Sequence, residues 1–204
     1  MTEKVEAPET GTEAEKSAKK VVKVVKKNNT QETFKSSRGN KYIFMFTNTR
    51  KVQALLDAAN RPDGIQSETL LTRLLMDQVL EGNEYDFDYF EKKIANKDKS
   101  DEITLEDQDG NQTTYHMKWP GLEAVERLLD GATDSQGKFV NSVYYDALMK
   151  HVITDKVDWK YWDEHDGYAE VMAEADAYIN TTLQNSEFQE VMVAAYAFLI
   201  RKFQ

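Results

Sequence analysis

The chain has 204 residues, a formal net charge of −10 and no cysteine, which excludes disulfide scaffolds, thiol catalysis, iron–sulfur clusters and cysteine-ligated zinc. With 40% hydrophobic and 11% aromatic residues it can build a core, and its length allows one domain or two small ones. The longest apolar run, Val191–Ile200, is about half of what a membrane helix needs, and the acidic balance disfavours general nucleic-acid binding.

The composition of residues 1–32 predicts a disordered N-terminal tail, because they offer almost nothing to bury. The segment Met1–Ser17 carries five glutamates and no apolar stretch, so we expect no signal peptide. Residues 1–29 hold seven lysines and five glutamates, about +2, which leaves about −12 for the rest of the chain. The basic stretch Ser17–Lys27 is either a solubilising linker, which we favour, or an arm that touches an acidic partner.

The rest of the chain contains an internal duplication, in which residues of the first copy recur at a nearly constant distance along the sequence. The matched positions are Tyr42 with Tyr115, Phe46 with Trp119, Leu55–Asp57 with Leu128–Asp130, Gly64 with Gly137, and Leu75–Met76 with Leu148–Met149. The offset of these pairs is 73; it is 71 at Gly39-Asn40 and 72 at the aromatic segment Asp86–Phe90. Matches in the same order at a nearly constant offset indicate one module copied once.

Each copy shows the same predicted order: a β-hairpin, an amphipathic helix, a glycine-bearing loop, a second helix and an acidic–aromatic segment. The predicted fold is α+β and predominantly α-helical, with two related subdomains that each carry a hairpin and two or three helices. We expect the first repeat over residues 33–95, a linker over 96–101, and the second repeat with a C-terminal helical extension over 102–204. The hairpins are expected to pair with one another, since exposed strand edges need cover.

The sequence offers no motif of catalysis or cofactor binding, and we predict a non-enzymatic protein without metal, cofactor or catalytic residues. His165 lies in the acidic run Asp163–Gly167, but consecutive side chains point in different directions, which favours a helix start or loop over a metal site. Asp107–Asn111 begins like a calcium loop. A calcium loop has glycine at position six and glutamate at position twelve. Here glycine stands at position four and Lys118 at position twelve, so a hairpin turn is predicted instead.

Aromatic and apolar residues of the second half are the candidates for partner binding. Both copies keep the aromatic segment, so most of its rings are expected to pack in the core. The last helix is the better candidate, because Val191–Ile200 is apolar all round and such a helix is buried on several sides or awaits a partner. It is also the candidate for self-association. The candidate partner-binding residues are Trp119, Trp159, Trp162, Val191, Tyr196, Leu199, Ile200 and Phe203.

Motifs of the second copy resemble the tail assembly chaperones of long-tailed bacteriophages. They are Tyr115–Gly121 (YHMKWPG), the following helix with Asp130, the loop at Gly137, Tyr144-Tyr145 before Leu148-Met149, and Asp158–Asp163 (DWKYWD). The match covers about Thr113–Thr182. It extends to Tyr42–Glu91 only through the duplication, because Thr47-Asn48 replaces Pro-Gly there.

The resemblance implies an acidic protein without a cofactor that acts in the host bacterial cytoplasm and is not expected in the mature virion. Chaperones of this family coat the helical tape measure protein and help recruit tail tube subunits. The implied partners are therefore the tape measure protein and the major tail protein. The mechanism that follows is burial, in which apolar helix faces cover the partner's hydrophobic stripe, and two linked copies raise the effective concentration.

Two other classes of protein stay open. A structural virion component, such as a tail-tube or connector subunit, predicts more β-strand than the pattern indicates. An acidic inhibitor that mimics nucleic acid predicts carboxylates along one face, whereas acids and lysines alternate here, as in Glu91–Lys93 and Lys97–Lys99.

Overall fold

A computed structural model describes residues 30–203. The predicted tail lies outside the described residues as far as Asn29. Its expected end at residue 32 is wrong by two positions, because Gln31 already begins the first strand. No described helix is both long enough and apolar enough to cross a bilayer.

The described chain is mostly helical, with two β-hairpins, which confirms the predicted fold class and its two related subdomains. The first repeat comprises β1 (Gln31–Lys35), β2 (Lys41–Met45), α1 (Thr49–Ala58), α2 (Glu68–Gln78) and α3 (Phe87–Glu91). The second comprises β3 (Ser100–Glu106), β4 (Gln112–Lys118), α4 (Leu122–Gly131), α5 (Asn141–His151) and α6 (Trp159–Trp162). Two long helices follow, α7 (Tyr168–Gln184) and α8 (Glu187–Phe203). The expected linker holds a 3-10 turn, Asn96–Asp98, and the first residues of β3.

The expectation that the two hairpins pair with one another is wrong, because β1–β2 and β3–β4 form separate two-stranded sheets. The second strand of each hairpin uses its other edge within its own repeat. Met45 N donates to Val79 O at 2.7 Å, and Lys118 N donates to Val152 O at 2.9 Å. Each edge is therefore covered by the segment that follows the second helix of its repeat.

Equivalent hydrogen bonds recur in the two repeats at the offsets that the sequence shows. The β-bridge between Phe44 and Leu80 corresponds to the bridge between Met117 and Ile153, which are their equivalents in the second repeat. Asp86 caps α3 through Tyr89 N at 2.7 Å, and its equivalent Asp158 caps α6 through Tyr161 N at 2.8 Å. The structural repeat thus follows the sequence repeat down to single backbone contacts.

The helices α7 and α8 also match each other along their buried faces. The matched pairs are Tyr168 with Phe188, Val171 with Val191, Met172 with Met192, Ala175 with Ala195, Tyr178 with Phe198, and Ile179 with Leu199. Helix α7 packs on β3 and α5, whereas α8 packs on β1, β2, α1, α2 and α3. The helix expected to extend the second repeat therefore completes the first, and each repeat has one long helix.

The two repeats meet where α2 packs against α4 and α3 against its beginning. Asp130 of α4 accepts hydrogen bonds from the backbone N–H groups of Glu68 and Thr69, at 2.8 and 3.2 Å, and so caps α2. Glu91 of α3 accepts from Leu122 N at 3.0 Å and so caps α4. Each repeat thus supplies a carboxylate to a helix start of the other, where the helix dipole favours negative charge.

Glu126 lies inside this contact and is only 7% exposed. One of its oxygens accepts from Thr72 Oγ1 at 2.8 Å, and the other has no partner among the described residues. Burial is the largest cause that raises the pKa of the Glu126 carboxyl to about 8; nearby carboxylates such as Glu68 contribute to the rise, and the Thr72 hydrogen bond opposes it. The contact between the repeats therefore contains an acid that favours its protonated form.

We predict that Glu126→Gln stabilises the protein increasingly as the pH rises. Between about 4.5 and about 8 the folded state keeps a proton that the unfolded chain has lost. The free energy of unfolding of the wild type therefore falls by up to about 1.4 kcal/mol per pH unit through this group. Urea unfolding between about pH 5 and pH 8 measures the difference, with the surface change Glu164→Gln as control. A constant difference across this range would contradict the prediction.

Candidate partner-binding surface

The histidine-containing acidic run forms no metal site. Among the described residues no group of histidines and acids is arranged to hold a metal ion. The His165 ring stacks on the Tyr161 ring with centroids 4.0 Å apart, and its Nδ1 lies 2.8 Å from the Tyr161 carbonyl oxygen. The ring thus contacts the end of α6.

The segment that begins like a calcium loop forms the turn of the second hairpin, as predicted. Asp107 closes this turn by accepting a hydrogen bond from Asn111 N at 2.8 Å.

The three tryptophans predicted to bind a partner occupy three different environments. Trp119, predicted to bind a partner, is buried between the repeats, and its Nε1 donates to Glu91 at 3.1 Å, so it offers no surface to a partner in this fold. Trp162 is half-buried against Tyr115 and Tyr168. Trp159 is 42% exposed, and its indole N–H donates to Asp146. Of the three tryptophans, only Trp159 presents a large apolar surface to solvent.

The position of α8 divides the predicted residues of the last helix into two groups. Val191 and Leu199 are fully buried against the first repeat, so the prediction that they face a partner is wrong in this structure. Tyr196 is 36% exposed, and Ile200 and Phe203 are half-buried. The apolar run is therefore core on one side and surface on the other.

The surface side of α8 carries an apolar stripe that we call the outer stripe, formed by Val193, Tyr196, Ala197 and Ile200. These residues follow the spacing i, i+3, i+4, i+7 and lie on one face of the helix. Among residues 30–203, Val193 is the most exposed large apolar residue, at 57%. The sequence run contained Val193, but a run without polar interruptions does not show which positions face outward.

The equivalent face of α7 is more polar. At the matching positions Ala173 stands for Val193, Asp176 for Tyr196 and Asn180 for Ile200. Asp176 accepts hydrogen bonds from Tyr144 Oη at 2.9 Å and Asn180 Nδ2 at 3.0 Å. The inner faces of the two helices therefore match, whereas their outer faces differ in polarity.

A buried carboxylate anchors the beginning of α8. Glu187 is 2% exposed and accepts from Ser36 Oγ, from Asn40 Nδ2 at 2.7 Å and from Lys93 Nζ at 2.9 Å. Burial opposes ionisation, but the hydrogen bonds from Ser36, Asn40 and Lys93 outweigh it and hold the pKa of Glu187 below its usual value. The first hairpin turn therefore binds the start of α8 through the Glu187 carboxylate, whose hydrogen bonds are satisfied.

The charges at the two ends of the outer stripe also bind the first hairpin. Glu190 accepts from Ser37 N at 2.7 Å and from Ser37 Oγ at 2.8 Å. Arg201 forms an ion pair with Glu32 at 2.8 Å. Both contacts fix the rotation of α8 about its axis and leave the apolar centre of the stripe facing outward.

An open groove lies where the repeats join. One part has a volume of about 550 Å³ and a neighbouring part about 300 Å³, and both are lined by Phe87, Asp88 and Glu123. Arg73 reaches Glu123 across the groove and forms an ion pair with it. The groove thus combines a charged contact between the repeats with the edge of an aromatic ring.

Comparison of the chain with protein-family models, curated protein sequences and solved structures finds no match. Two apolar areas stand out: the outer stripe, and the exposed side chains of Phe139, Val143 and Trp159 in the second repeat.

We predict that Val193→Ala changes the free energy of unfolding by less than about 1 kcal/mol, because more than half of this side chain is exposed. Leu199→Ala, on the inner face, is expected to cost about 2–5 kcal/mol because it leaves a cavity. Denaturant unfolding compares the two variants. Equal losses would show that the outer stripe is part of the core.

Proposed function

We propose that the chain is a non-enzymatic tail assembly chaperone of a long-tailed bacteriophage, acting in the host cytoplasm and absent from the mature virion. The single observation that carries the proposal is the outer stripe, an apolar surface on a rigidly held helix whose internal counterpart α7 is polar there. The resemblance of Tyr115–Gly121 and Asp158–Asp163 to this family supports it.

The geometry of the outer stripe suits a helical partner. Side chains at i, i+3, i+4 and i+7 pack against a similar stripe on another helix. Along the stripe Ala197 lies between Val193 and Ile200, so a small side chain separates two larger ones and allows a second helix to approach closely. A tape measure protein, which is long and helical, offers such stripes in series.

The charge of the chain supports the same role. The outer stripe belongs to a molecule with a formal charge of −10, so a complex that covers an apolar segment would keep a strongly charged exterior. Burial of the partner's apolar stripe and mutual repulsion between complexes would both oppose aggregation. Recruitment of the major tail protein follows from the resemblance alone.

Co-expression with the tape measure protein of the same phage tests the proposal. The wild type is expected to raise the soluble fraction of that protein several-fold. The variant carrying Val193→Ala, Tyr196→Asp and Ile200→Asn should lose this effect, because the α8 surface becomes as polar as that of α7. Ile43→Thr, which removes an exposed apolar side chain on β2, is the matched control and should behave as wild type. An unchanged soluble fraction with wild type would refute the proposal.

Mass spectrometry of purified virions separates the chaperone from a structural component. A chaperone is expected to be absent or present in trace amounts, because it leaves before the tail is complete. Stoichiometric amounts relative to the major tail protein would instead support a tail-tube or connector subunit.

A further inference from the structure

The contact between the two repeats is of the head-to-tail kind. The α2 and α3 side of the first repeat packs against α4, which is the equivalent of α1 in the second repeat. In a twofold arrangement α5 would contact α1 in the same way, and no comparable contact occurs in the part of the chain that the structure describes. One contacting surface of each kind is therefore left open: the α5 side of the second repeat and the α1 side of the first.

Exposure shows the two open surfaces directly. Thr69 and Thr72 are buried by α4, whereas their equivalents Ser142 and Tyr145 are exposed and half-buried. On the other side Glu126 is buried by α2, whereas its equivalent on α1 is the exposed Gln53.

The carboxylate that caps α2 has an unused counterpart. Asp130 accepts from the first N–H groups of α2, and its equivalent on α1 is the exposed Asp57. Among the described residues no side chain caps α5, so the N–H groups of Asn141 and Ser142 face the open surface. The Asp57 carboxylate accepts one hydrogen bond, from Gln53 at 2.8 Å, and keeps further acceptor positions. The uncapped start of α5 and the Asp57 carboxylate therefore stand at matching positions of the two open surfaces.

The charged pair of the contact also has a counterpart. Arg73 of α2 pairs with Glu123 of α4 within the chain. The equivalent positions hold Asp146 on α5 and Arg50 on α1, so both signs are reversed and the pair stays complementary. At the positions equivalent to Thr72 and Glu126 stand Tyr145 and Gln53. An amide therefore replaces the buried acid, and both side chains can still form hydrogen bonds.

We propose that a second copy of this chain docks its α1 surface on the α5 surface of the first, in the way that α4 docks on α2 within the chain. Asp57 of one copy caps α5 of the other, and Arg50 pairs with Asp146. Trp159 stands at the position of Phe87, which lines the groove of the internal contact, and its exposed ring adds apolar area. Because the contact is heterologous, it continues from copy to copy into a filament or closes into a ring.

This surface is distinct from the outer stripe of α8, and the inference does not depend on the proposed function. Self-association through α8 would not involve α1 or α5. The two modes respond to different substitutions, so one experiment separates them.

Sedimentation velocity of the full chain over a wide concentration range tests the inference. The weight-average mass of the wild type is expected to rise with concentration. Asp146→Arg sets two arginines against each other across the contact, and Arg50→Asp sets two aspartates there, so each variant alone should associate at least about tenfold more weakly. Mixed in equal amounts, the two variants restore opposite charges at every contact and should assemble like the wild type.

The control is Asp109→Arg, which makes the same charge change at the exposed turn of the second hairpin and should associate as the wild type. Circular dichroism establishes that each variant is folded. A wild type that stays monomeric at the highest concentration overturns the inference, as does association that neither Asp146→Arg nor Arg50→Asp weakens. A mixture of the two variants that fails to assemble overturns it as well.

Discussion

Two carboxylates that cross between the repeats define how the molecule is joined. Asp130 caps α2 and Glu91 caps α4, so each repeat satisfies backbone donors that the other leaves unpaired. Loss of a helix cap costs about 0.5–2 kcal/mol, so the two carboxylates tie the position of α2 to that of α4. The buried Glu126 lies in the same contact between α2 and α4.

The last helix closes the chain onto its beginning. Glu187 is held by the first hairpin turn, and Arg201 pairs with Glu32 at the start of β1. Phe188 covers Phe87 and Phe90 of the first repeat, with ring centroids 5.7 and 5.6 Å apart. The first repeat therefore has no complete core until α8 is in place, although α8 is the last described element.

Duplication produced equivalent positions with different surroundings, and these differences carry the functional argument. The outer faces of α7 and α8 have the same geometry, yet Asp176 and Asn180 correspond to Tyr196 and Ile200. A head-to-tail arrangement likewise leaves one partner surface open at each end, where Asp146 remains exposed.

Local features of the chain are enough to predict the order of the elements, because hairpin glycines, capping residues such as Asp86 and Asp158, and helical apolar spacing act through local hydrogen bonds and periodicity. The fold class and the repeat follow from the same features. Packing, by contrast, places α8 on the first repeat, buries Trp119 and turns Val193 and Tyr196 outward. Periodicity shows which side chains share a face, but it does not show which element covers that face. Val191–Ile200 has no polar interruption, so even its two faces had to be separated by packing.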